Sequence, residues 1–340
     1  MNFKEIISNI AEGFEFDKGE IVLLHFWGDN KDLDILDKIA IEIGKKGAFP
    51  LKFQQSREFN YNYYSEISNE NLIFPEKFYE FFKLADSVID IITYPILFPH
   101  KNFPKEKMNE YKTNIRNLMK NLMPNKKYYI QLRVPTQENS IESNLDFNIY
   151  SEKMLNAYNI DYKKLKAETS LLISSLEESK NVEIITGDDK NLTFSIENRK
   201  WFKDDGCGDM PCGEIYIAPI EDSAFGSIII PLINIENKIF KNVTLNFESG
   251  KLVYCSENFI QEYISKFSGD YDKIAEFGIG LNENINDLCG YQLLDEKIKH
   301  TAHIAVGMNS MFDGKNNSNL HLDFVFYPKK IIFDGKTFNL

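Results

Sequence analysis

KGEIVLLHFWGDNKDLDILDKIAIEIGKKGAFPLKF, residues 18–53, carries three elements in a row. Lys18-Gly19 turns into IVLLHFW (21–27), a continuous apolar run of the kind that forms a strand buried on both faces of a parallel sheet. Asp29 and Asn30 end it. Leu33, Ile35, Leu36, Ile39, Ala40 and Ile43 then recur at helical spacing over 33–46, with Gly44 and Gly47 at the stop. AFPLKF (48–53) reads as the next strand, which completes a β-α-β unit. Outward from it, a helix is expected over 3–12 and another over 75–85. A strand follows at SVIDIIT (87–93), then a helix over 105–122 and a strand at KKYYIQLRV (126–134). Residues 1–140 therefore read as an α/β domain with a mostly parallel sheet. After the first strand comes GDNKDLD, with neither G-x-G-x-x-G nor a Walker lysine, so the layout does not make a nucleotide site.

PTQENS (135–140) reads as a linker. A long helical pattern spans 150–178, and beyond it the texture changes to short strands and turns. LNFE-SG-KLVY is a hairpin signal with Ser249-Gly250 at the turn. A helix is expected over 257–267, and HLDFVFY and KKIIFD are the closing strands. Residues 141–340 read as an α+β domain rich in antiparallel strands.

The bulk numbers narrow the function. With 43% hydrophobic and 26% charged residues, the 340-residue chain has the composition of an ordinary globular protein with room for a sizeable core. A net charge of -12 without a basic cluster argues against nucleic-acid binding. The N-terminal MNFKEIISNIAEGFEF lacks a basic start and an apolar signal core, and no apolar run reaches membrane-spanning length; the expected location is the cytoplasm. Cys207, Cys212, Cys255 and Cys289 are too few and too irregular for a disulfide framework or a cysteine-zinc knuckle.

Chemistry concentrates in EFGIGLNENINDLCGYQLLDEKIKHTAHIAVGMNSMFDGKNNSNLHLDF (276–324). Three of the five His lie there, with Glu276, the acidic pair Asp295-Glu296, and His321-x-Asp323. Imidazole and carboxylate are ligands shared by zinc, manganese and ferrous iron. His321 and Asp323 alternate with apolar residues, so on a strand both emerge from one face; the alternative is an ordinary polar face. His303, in TAHIAVG, is either a ligand or a hydrogen-bonded core histidine. His300, three residues earlier, should face the other way. Glu276 is a carboxylate among apolar residues, costly unless paired or metal-bound, or else a surface residue at a junction. Glu214 opens a strand-like run after Pro-x-Gly, and Glu221 and Asp222 follow Pro219 in a loop. Such placements suit a ligand, a general base or a surface hairpin.

Taken together, GDMPCGEIYIAPIEDSAFGSI (208–228), EFGIGLN (276–282), DEKIKHTAHIAVGMN (295–309) and GKNNSNLHLDFVF (314–326) resemble, in that order, the metalloaminopeptidases of the aminopeptidase S and aminopeptidase T type. The wording is nearest to the shorter relatives labelled leucyl aminopeptidase. The resemblance implies metal ligands at Glu214, Glu276, His303, His321 and Asp323, with Glu214 and Glu276 also the catalytic carboxylates. It implies two divalent ions (zinc, cobalt or manganese), a peptide or small-molecule substrate, and a homodimer. Ser310 stands where the peptidase branch has a tyrosine. A related branch cleaves dihydroxypyridine rings with one ferrous iron, and His303, His321 and Asp323 could supply that triad. The leading expectation is a metal-dependent aminopeptidase; the alternative is such a ring-cleaving iron dioxygenase.

Overall fold

The computed structural model describes residues 2–96 and 99–338. The chain folds into two compact units: Met1–Tyr162 with Gly206–Pro211, and Lys163–Asp205 with Cys212–Leu340.

The first unit is built on a five-stranded, wholly parallel sheet. Its order is Phe49–Gln55, Ile21–Trp27, Ser87–Ile92, Tyr129–Arg133 and the two-residue strand Asp209–Met210. The apolar run 21–27 is buried from Val22 to Trp27, as its lack of alternation requires. The helix Leu33–Lys45 buries Ile35, Leu36, Ile39 and Ile43. At the carboxyl end of the first strand the Asp29 carboxylate accepts from Ser56 Oγ at 3.1 Å and from the Arg57 amide at 2.9 Å. The Arg57 guanidinium lies 4.1 Å from the centre of the Tyr94 ring. Open α/β sheets bind ligands in the crevice where strand order reverses; the strand ends there engage this unit's own side chains. Within the sheet, buried Asp90 accepts from Trp27 Nε1 at 2.7 Å and from Tyr129 Oη at 2.9 Å, and its Oδ1 lies 2.7 Å from His25 Nδ1.

Three expected features differ. The stretch read as a linker is the helix Gln137–Ser143, capped by Thr136 and locked by Asn139, which donates to the carbonyls of Ile92 and Val134. The helix expected over 150–178 is two, Phe147–Tyr158 and Tyr162–Leu176. Asn9 Nδ2 donates to the carbonyls of Tyr158 and Ile160 at the break. The helix expected over 75–85 is a five-residue α-helix, Glu76–Glu80, passing into a 3-10 turn.

The second unit has two antiparallel sheets. The seven-stranded sheet contains the hairpin Lys238–Glu248 and Lys251–Cys255, with Ser249 and Gly250 both at positive φ in its turn. The five-stranded sheet has the order His321–Phe326, Ala302–Gly307, Ile274–Gly280, Glu214–Ile217, Phe202–Asp204. Among the described residues no helix is long and apolar enough to cross a membrane.

Candidate metal centre

Register in the five-stranded sheet puts the polar side chains on one face. His303 pairs with Gly278 and Gly278 with Tyr216; Ala305 pairs with both Glu276 and Asp323; Gly307 pairs with His321. Glu214 pairs with Gly280 on one side and Asp204 on the other. Directly paired residues share a face, and so do residues two apart on a strand. Asp204, Glu214, Glu276, His303, His321 and Asp323 therefore stand on the same side, interleaved with Gly278, Gly280, Ala305 and Gly307. The small residues make the room.

The distances are specific. Glu276 Oε1 lies 3.2 Å from His303 Nε2, and its Oε2 lies 3.4 Å from His321 Nε2. Asp323 Oδ1 is 3.5 Å from His321 Nε2, and Glu214 Oε2 is 3.5 Å from His303 Nε2. A tetrahedral ion with bonds of about 2.1 Å places its donors about 3.4 Å apart. The spacings thus match edges of a coordination shell. Glu276, His321 and Asp323 offer ligand atoms that all lie within 4.8 Å of one another. His321 Nδ1 is 2.7 Å from the Met308 carbonyl, which as acceptor fixes the tautomer that leaves Nε2 open for an ion.

All five residues expected as ligands are thus brought together. His300 is exposed at positive φ, apart from them. Glu221 is held by Arg199 Nη2 at 2.7 Å and by the Lys315 amide, and Asp295 accepts from the amides of Cys289 and Gly290; both are structural. Ser310, itself exposed, begins a 3-10 turn whose buried Phe312 packs on Tyr216 and His321. The phenol on the ligand face is that of Tyr216, two residues beyond Glu214.

The site also holds residues that the sequence did not single out as ligands or bases. Lys297, 1% exposed, contacts Glu214 Oε1 and lies 2.8 Å from Glu296 Oε1 and 3.4 Å from Asp204 Oδ2. In the sequence DEKIKH nothing local marks this lysine as buried.

Charge explains why such a cluster calls for cations. Burial works against the ionised form of Glu276, yet His303 and His321 hold its carboxyl down at about 2. Burial opposes the His303 imidazolium, but Glu276, Glu214 and Asp323 push it up to about 9. Burial raises Glu214 and takes Glu296 up to about 8, against the pull of Lys297. Buried carboxylates in this number are costly unless matched by positive charge. Carboxylate and imidazole donors at these spacings fit a divalent ion, and Glu276, His321 and Asp323 are placed to hold one.

The comparisons agree. The chain belongs to the thermophilic metalloprotease family, M29, which it matches over residues 5–339. Its fold is similar to that of wild-type AmpT from Thermus thermophilus, with a TM-score of 0.66 over 99% of this chain and 97% of that one, at 15% identity. No curated protein matches the sequence significantly. The expected family and α/β architecture are met, and nothing in these matches supports the ring-cleaving iron reading.

Proposed function

We propose that the chain is an aminopeptidase that works with two divalent cations and uses Glu276 as the carboxylate common to both. The observation that carries this is the orientation of Glu276, whose two oxygens face two different imidazoles. The acidic surroundings support it. Asp204, Glu214, Glu276, Glu296 and Asp323 set five acidic side chains around one ammonium, Lys297, and such a cluster is stabilised by bound cations.

When bound, such ions polarise the scissile carbonyl and acidify a water. The protein's own groups do the rest. His303 and His321 present Nε2, and Asp323 and Glu214 each present one oxygen. A proton released at the centre has Glu214 and Glu276 within reach as acceptors. Tyr216, raised by burial and by the neighbouring Asp204, Glu276 and Glu214, keeps its phenolic proton on the ligand face. The reading includes a homodimer, which rests on the family resemblance, and a cytoplasmic location, with which four irregularly spaced cysteines are compatible.

The test is hydrolysis of aminoacyl amides by protein loaded with zinc, cobalt or manganese. Release of the N-terminal residue, abolished by chelation and restored by the ion, is expected. Absence of release across a panel of side chains with all three ions would overturn the reading.

A further inference from the structure

Lys297 is the buried charge that the proposed chemistry does not use. Its ammonium sits among Asp204, Glu214 and Glu296, with its side chain 1% exposed. A lysine placed there for packing alone would be poorly chosen, because an ammonium taken out of water is costly unless it is closely paired.

We propose that Lys297 is a positioning residue of the metal centre: it holds Glu214 by one carboxylate oxygen and so presents the other toward His303. The two oxygens of Glu214 have different surroundings. Oε1 is taken by Lys297. Oε2 accepts no hydrogen bond among the described residues and lies 3.5 Å from His303 Nε2. A carboxylate free to rotate could chelate through both oxygens; with Oε1 engaged, Glu214 offers a single, directed donor.

The backbone is arranged to deliver this contact. Asn282, fully buried, donates from its amide to the Lys297 carbonyl at 2.8 Å and from Nδ2 to the Cys212 carbonyl at 2.8 Å. One residue thus pins both the lysine and the segment two positions before Glu214. Gly280, the strand partner of Glu214, lets the 296–298 backbone descend onto the sheet. A Cβ there would lie 2.1 Å from the Ile298 carbonyl oxygen and 2.9 Å from that of Glu296.

The inference rests on the metal-centre reading, and the experiment separates the two. Cobalt(II) is titrated into metal-stripped wild type, Lys297→Met, Glu214→Gln and the double variant, with binding and visible absorption followed together and folding checked by circular dichroism. Outer partners of metal ligands typically contribute 10–100-fold in affinity. Lys297→Met should therefore weaken one cobalt equivalent by about 10–100-fold and alter its visible bands, leaving the other equivalent as in wild type. In the Glu214→Gln background it should add nothing, since its effect passes through Glu214. Should Lys297→Met fail to fold, Lys297→Gln takes its place with the same expectations. Wild-type cobalt affinity and spectrum in the folded variant, or an undiminished effect in the Glu214→Gln background, would overturn the proposal. Wild type that binds no cobalt would overturn the metal-centre reading, and this inference with it.

Discussion

The imidazole of His303 lies across its cross-strand partner Gly278: a Cβ on residue 278 would stand 2.1 Å from Cε1 and 2.2 Å from Nε2 of the ring. His303 is fully buried and its strand is paired on both sides, so the ring has nowhere ordinary to go. Gly278→Ala should cost about 1–3 kcal/mol from overpacking. It should also displace Nε2 from Glu276 and Glu214, and so reduce metal content. Elemental analysis and thermal melting check both. Wild-type metal content in that variant would mean that His303 is not a ligand.

Glu276→Gln keeps the volume of the side chain but replaces one donor oxygen with an amide nitrogen, which does not ligate. One of the two imidazoles then loses its carboxylate partner. Turnover of an aminoacyl amide should fall by at least about 100-fold, with the far-ultraviolet circular dichroism unchanged. Full activity would remove Glu276 from the mechanism.

The first unit makes a separate prediction. Asp90→Ala leaves Trp27 Nε1, Tyr129 Oη and His25 Nδ1 without their buried carboxylate. Orphaned buried donors and a broken buried network cost about 3–5 kcal/mol. Chemical denaturation should show that loss. Metal content per folded chain should stay unchanged, because every proposed ligand belongs to the second unit.

What the sequence made legible follows from local periodicity. The apolar run at 21–27 announced a strand buried on both faces, SVIDIIT (87–93) read as another strand, and the two-residue spacing of His321 and Asp323 announced a shared face. Register is a long-range property. Nothing local in FGIG says that Gly278 faces His303 or that Gly280 faces Glu214. Lys297 was hidden for the same reason, since a lysine in a charged stretch normally meets water. PTQENS looked like a linker because its polar residues bond backbone in turns as readily as they cap helices. The pairing of Asp209–Met210 with the first unit's sheet involves only two residues, Gln131 and Leu132, and leaves no pattern to read.

The most direct test of the two-cation centre is the number of metal ions bound per chain by protein purified without oxygen, measured by elemental analysis. The account predicts close to two zinc, cobalt or manganese ions, with Glu276 between them. A single ion per chain, or none, would contradict it.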